Sequence, residues 1–208
     1  MRITVFGAAG NVGRRVVAEA VARGHEVTAV ARDPRRAEDL PVPVRPGDAA
    51  NPDDVAALGR GQDLVITATR PAPGREHELV EATRGLLKGL AGTGIRLLAV
   101  GGAASLLTPA GTTVLEDPGF PAELRPIAAA CQAQHDEYRT DTAVDWTYAS
   151  PPALLEPGER TGHYRLGGDE LLVDSDGRSA ISMEDFAVAL LDEAERPRHH
   201  RTRFTVAN

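Results

Sequence analysis

One lysine, Lys88, and one cysteine, Cys131, occur in the whole 208-residue chain. A lone cysteine excludes an intrachain disulfide and fits a reducing compartment, and within its helical stretch it reads as a small apolar filler. A lone lysine means that no tyrosine has a lysine four residues on: Tyr138, Tyr148 and Tyr164 are followed at that spacing by Thr142, Pro152 and Gly168. Basic residues are outnumbered, for a formal net charge of −7, so the chain lacks a basic face to neutralise nucleic-acid phosphates. No apolar run approaches the roughly 18–20 residues that span a bilayer. Met1 leads directly into an apolar strand without a charged leader or cleavage site, which implies a cytoplasmic protein that does not engage membranes. His199-His200 is a pair in a charged tail with no cysteine or spaced carboxylate beside it, so no metal site is expected. Ser105 lacks the Gly-x-Ser-x-Gly elbow of a serine hydrolase.

What is present is an ordinary apolar fraction, 42%, enough for one domain with a sizeable core, and a glycine-spaced turn. Gly7-Ala8-Ala9-Gly10-Asn11-Val12-Gly13 follows the apolar run Ile3-Thr4-Val5-Phe6 and opens a helical pattern of Val12, Val16, Val17 and Ala20. Strand, glycine turn and helix in that order leave unpaired N–H groups at a helix N-terminus, where the macrodipole favours an anion. Gly7 permits the tight turn, Gly10 lets a phosphate approach the backbone, and Gly13 lets the helix pack close to the strand. With Ala9, Asn11 and Val12, these residues form the expected pyrophosphate seat of a dinucleotide.

Glu26 to Ala31 follows as a second strand, ending at Arg32-Asp33-Pro34, the tip that meets the adenosine ribose in a doubly wound sheet. Asp before Pro is a helix cap followed by a first helical residue, with Arg35 to Glu38 continuing the helix. Arg32, with Arg35 or Arg36, is then left to pair with a 2′-phosphate, which favours NADP over NAD. Val42 to Arg45 reads as a short edge strand because of its prolines. Leu64 to Ala68 and Ile95 to Val100 are the next buried strands, with a long helix over Glu76 to Leu90 between them. Ser105 follows Gly101-Gly102-Ala103-Ala104 just beyond a central strand end, where open sheets bind ligands. Leu106 to Pro121 reads as a flexible wall over that site. A helix lies within 121–142, a strand over Val144 to Ala149, a small hairpin over Gly162 to Val173, a helix capped by Ser182, and a closing strand at Arg203 to Val206. The whole predicts an α/β protein: one Rossmann-like, doubly wound, mostly parallel sheet flanked by helices over residues 1–208, with 150–180 a substrate-side extension.

The Gly-x-x-Gly-x-x-Gly spacing resembles the short-chain dehydrogenase/reductase superfamily, above all its extended and atypical branches. That superfamily's Tyr-x-x-x-Lys acid pair is absent, so a keto-reductase or epimerase built on it is improbable. The order of the glycine turn, Arg32-Asp33-Pro34, Gly47-Asp48, Val100 to Ser105, His135-x-x-x-Arg139 and Asp145-Trp146-Thr147 leading to Pro151 is similar to the NmrA-like regulators and the flavin reductase (biliverdin reductase B) group. The resemblance implies an adenine contact at Asp48 with Ala49 beside it. It implies a nicotinamide-ribose border at Thr67, Ala68 and Thr69, with Gly101, Gly102 and Pro151 completing the cofactor contacts. Ser105 and His135 are implied to border the nicotinamide and substrate. A second histidine that follows the proline pair in the flavin reductase group is replaced here by Ala153-Leu154. The expected function is NADPH-dependent hydride transfer to a flat conjugated small molecule such as a flavin or quinone. The alternative is a non-catalytic NADP-binding sensor acting through a protein partner; monomer and dimer both stay open.

Overall fold

The computed structural model describes residues 1–208. Its chain alternates strands and helices from the start: β1 (Arg2–Phe6), α1 (Asn11–Ala22), β2 (Glu26–Ala31), β3 (Val44–Pro46), α2 (Pro52–Gly59), β4 (Leu64–Thr67), α3 (Glu78–Leu90), β5 (Arg96–Val100), α4 (Arg125–Thr140) and β6 (Trp146–Ser150). β7 (Leu154–Glu156), β8 (Arg165–Gly167), β9 (Ala180–Ser182), α5 (Met183–Glu195) and β10 (Thr202–Ala207) complete it. Eight strands form one sheet in the order β3-β2-β1-β4-β5-β6-β10-β8, parallel throughout except for β8 against β10. The expected α/β, doubly wound architecture is therefore observed.

Burial explains the continuous apolar runs. A central parallel strand is covered on both faces and cannot alternate apolar with polar. Ile3, Val5, Ala29, Ile66, Leu98, Phe204 and Val206 face α1 and α5, whereas Phe6, Val30, Val65, Leu97, Ala99, Trp146 and Tyr148 face the layer of α2, α3 and α4. Side chains cap the starts of α2 and α5, at Ser182 as the sequence predicts. Asn51 accepts from the Asp53 N–H ahead of α2, and Ser182 accepts from the Asp185 N–H ahead of α5. Asp33 accepts from the Arg35 N–H, but the segment after it is only a 3-10 turn over Pro34–Ala37. Pro41 and Pro43 follow closely, and neither can continue a helix. β3, with Pro46 inside it, lies at the sheet edge where a missing N–H is tolerated.

The expected hairpin over 162–173 does not form. Only Arg165–Gly167 becomes a strand, and it pairs with β10. Gly168 donates its N–H to the Glu170 carboxylate, turning the chain away. The following segment instead clasps the loop after β5: the Leu107 N–H donates to the Asp169 carbonyl and the Leu171 N–H to the Leu107 carbonyl, both at 2.8 Å. β7 and β9 form a separate two-stranded parallel sheet. Residues 150–180 are thus a strap across the loop after β5 rather than an independent hairpin.

Candidate functional site

The strand order reverses between β1 and β4, so the crevice of the sheet opens between their carboxyl ends. Gly7, with φ +76°, makes the turn out of β1, and a Cβ there would lie 2.6 Å from the Ala68 carbonyl oxygen. At Gly13 a Cβ would lie 2.2 Å from the Gly7 carbonyl oxygen, which gives the third glycine its packing role. Gly10 is different: its nearest neighbour would be the Gly7 oxygen at 3.3 Å, and it forms the N-cap of α1 without a side-chain hydrogen bond. Asn11, Val12 and Gly13 donate to no protein acceptor, and the first turn of α1 carries no acidic residue. α2 and α5 close the same kind of end with Asn51 and Ser182. An open, uncapped helix start beside Ala9 suits the pyrophosphate of a dinucleotide.

At the β2 tip, Asp33 holds Arg35 at 2.9 Å as well as capping the turn, so Asp33 is engaged. Arg32 is not a free cation: it pairs at 3.1 Å with Glu78, which also binds Arg75. Arg36 makes no ion pair, and its carbonyl is held by Arg14, which also reaches Asp39 and the Ala9 carbonyl. The Asp48 carboxylate caps its own loop by accepting from the Ala50 N–H at 2.9 Å. That loop, with Ala49 buried, lies against α3, where a Cβ on Gly85 would come within 2.2 Å of the Ala49 oxygen. Glu78 and Gly85 were invisible to sequence reasoning, because both act on partners far along the chain.

The other candidate side chains lie on β4, β5, β6 and α4 and on the loops that follow the strands. Thr67 and Thr69 bring their hydroxyls to 3.2 Å at the end of β4. Gly101 and Gly102 have a packing reason of their own. A Cβ on the first would strike the Tyr148 ring at 2.1 Å, and one on the second would meet Cys131 at 2.8 Å. The Gly102 N–H donates to the Tyr148 hydroxyl, whose own proton lies between the Cys131 carbonyl (3.0 Å) and Gln134 Oε1 (3.1 Å). Burial pushes the Cys131 thiol up to about 11 and raises the Tyr148 phenol as well, so neither is ionised near neutral pH. His135 is not a surface histidine. It is buried, packs against Tyr148 with ring centroids 4.7 Å apart and the rings tilted by 40°, and is held down to about 4 by burial first and then by the charges of Arg203 and Arg139. Pro151 is buried directly after β6. Ser105 accepts a hydrogen bond from Arg203 Nη1 at 2.8 Å. The sequence signal for Arg203 was a charge at an inward position of an otherwise buried strand.

A family model described as NAD(P)H-binding matches residues 7–197. YwnB of Bacillus subtilis is 37% identical over 214 aligned residues, which take in 100% of this chain and 99% of its own. SP1627 of Streptococcus pneumoniae, provisionally named an NADH-flavin reductase, is 34% identical with a TM-score of 0.91 over 100% of this chain and 99% of its own. A Burkholderia pseudomallei protein, provisionally named as exported, is 37% identical with a TM-score of 0.91 over 100% of both chains. The open glycine turn, the strand order and these matches agree: the chain belongs to the NAD(P)H-binding family and, as its motifs imply, to the atypical short-chain dehydrogenase/reductases.

Proposed function

We propose that this protein is an NADPH-dependent oxidoreductase that reduces a flat conjugated acceptor, such as a flavin or quinone. The observation that carries the reading is the pair of buried rings His135 and Tyr148, whose phenol accepts from the Gly102 N–H and so ties them to the loop after β5 that carries the partly exposed Ser105. A bound dihydronicotinamide supplies hydride there. Asn11, Val12 and Gly13 would hold its pyrophosphate, Thr67 to Thr69 its ribose, and Ser105 and His135 would orient the acceptor and keep water away. A conjugated acceptor gains hydride and then takes a proton from water, so it needs no tyrosine-lysine acid. The phenols offer none: Tyr148 is fully engaged, Tyr138 is fully buried, and Tyr164 donates to Asp192 at 2.5 Å. The name of the Streptococcus pneumoniae relative supports a flavin as one acceptor.

NADPH oxidation with a panel of flavins and quinones tests the reading directly. Turnover should exceed the solution rate with at least one of them. The double variant Ser105→Ala with His135→Ala should slow it by roughly ten- to a hundredfold through misplacement of the acceptor, while NADPH affinity stays near that of the wild type. Tight NADPH binding with no acceptor reduced would replace the enzyme with a sensor. Turnover untouched in the double variant would move the acceptor site elsewhere.

Cofactor choice rests on Arg32 and Arg36. Removing a charge-assisted pair from a half-exposed site is worth on the order of 1 kcal/mol. Arg32→Glu, which adds a repulsive charge, should therefore lower NADPH affinity about tenfold and leave NADH affinity within about twofold. Isothermal titration with both cofactors decides, and equal losses would assign the tip to NAD.

A further inference from the structure

Arg203 is the one charged side chain of β10 turned into the sheet's covered face, with its side chain 7% exposed. Its register opposite Tyr148 in the parallel β6–β10 pair places it on the face that α4 covers. A buried guanidinium is costly unless paired. The partner is Asp169, on the strap, which takes Nε at 2.8 Å and also binds Nη2, yet the Asp169 side chain is itself 68% exposed. The remaining donors go to the loop after β5: Nη1 to Ser105 Oγ at 2.8 Å and Nη2 toward the Ser105 carbonyl at 3.5 Å.

A serine hydroxyl has one proton and two lone pairs, whereas a guanidinium can only donate. Arg203 therefore occupies a lone pair of Ser105 Oγ, and the hydroxyl proton must point elsewhere. It has no acceptor within the protein, although Ser105 is partly buried. The adjacent positive charge also strengthens that proton as a donor. We propose that Arg203 is a positioning residue that turns the Ser105 hydroxyl into a fixed hydrogen-bond donor for the carbonyl oxygen or ring nitrogen of the acceptor. This rests on the oxidoreductase reading and deepens it. As the acceptor gains hydride, negative charge develops on that heteroatom, and a preoriented donor stabilises it without reorganising. The proton that completes the reduction still comes from water. Acceptors with an exposed electron-poor carbonyl or imine edge, as in isoalloxazines and quinones, are the class such a donor selects.

The test uses FMN as probe in a double-mutant cycle of Arg203→Met and Ser105→Ala, with Arg203→Lys as the conservative variant. FMN affinity for the NADP+-loaded protein is read by fluorescence quenching, and NADPH-driven FMN reduction is followed in parallel. Each single change should weaken FMN binding about fivefold, the size of one modest hydrogen bond. The double variant should be no weaker than either single one, and Arg203→Lys should recover most of the loss. NADP+ affinity should stay within about twofold in every variant. FMN affinity untouched by Arg203→Met, or losses that multiply in the double variant, would overturn the proposal, as would a wild-type protein that binds no FMN. Coupled losses in FMN binding without any turnover would keep the Arg203–Ser105 donor and remove the enzyme reading alone. Should Arg203→Met fail to fold, Arg203→Gln takes its place in the same cycle. There the amide NH2 can still donate to Ser105, so the FMN loss should be smaller but still absent once Ser105 is alanine, and a loss that persists without Ser105 would overturn the proposal.

Discussion

Gly10→Val is expected to lower NADPH and NADH affinity at least a hundredfold while leaving the thermal unfolding of the free protein nearly unchanged. The magnitude follows from what the turn offers. The N–H groups of Asn11, Val12 and Gly13 have no protein partner, and each hydrogen bond to a charged group is worth about 1.5–3 kcal/mol. Obstructing two of them therefore costs on the order of 3 kcal/mol or more. The fold tolerates the change with a small adjustment: a Cβ at Gly10 lies 3.3 Å from the Gly7 oxygen, a tight contact that a shift of a few tenths of an ångström relieves, and its φ of −79° is open to any residue. Gly13→Ala is the contrasting case. Its Cβ would lie 2.2 Å from the Gly7 oxygen and 2.8 Å from the Gly7 carbonyl carbon, so α1 must lift from β1 and stability should fall by about 1–3 kcal/mol. Calorimetric titration and thermal melts of the two variants separate the roles, and a folded Gly10→Val protein with wild-type cofactor affinity would move the pyrophosphate seat away from this turn.

That contrast also marks what the sequence could express. Glycine spacing, caps and apolar runs are local, and they located the turn, the caps at Asp33 and Ser182, and the edge position of β3. The order of strands and helices sufficed for the sheet because parallel crossovers leave few alternatives. Residues whose role depends on a partner far along the chain stayed hidden. Arg32 looked free because Glu78 lies 46 positions away. Ser105 was legible as a candidate at a strand end, but its partner Arg203, 98 positions away, was not. Gly101 and Gly102 suggested cofactor contacts, and only the packed structure reveals the Tyr148 ring and Cys131 against them. The hairpin failed for a related reason: a turn signature says where the chain reverses, not which edge receives the next segment. Here β10 took Arg165–Gly167, and the loop at Leu107 took Leu171.

His135 carries the second large effect, in stability against pH. Its folded-state value is lowered from 6.5 to about 4, by burial first, then by Arg203 and Arg139, with Asp136 and Asp169 pulling weakly the other way. The unfolded chain therefore binds a proton on this ring between about pH 6.5 and pH 4 that the folded chain refuses. Stability must rise with pH across that window, is fully present above it, and is lost as the solution is acidified. The differential approaches about 3 kcal/mol at the acid end of the window. Glu19 acts in a lower range. Arg160, and then Arg23, hold its carboxyl down to about 2 against the cost of burial, so its contribution disappears only as pH falls below about 4.5. His135→Phe keeps an aromatic ring against Tyr148 and cannot titrate. The stability of the wild type minus that of this variant, measured by urea unfolding, should be flat above pH 7 and fall by 2–3 kcal/mol toward pH 4. A difference that stays flat from pH 7 to pH 4 would mean that the ring reaches solvent when protonated. His135 would then not belong to a dry floor under the acceptor, and the shielding assigned to it would have to come from Tyr148 and Pro151 alone.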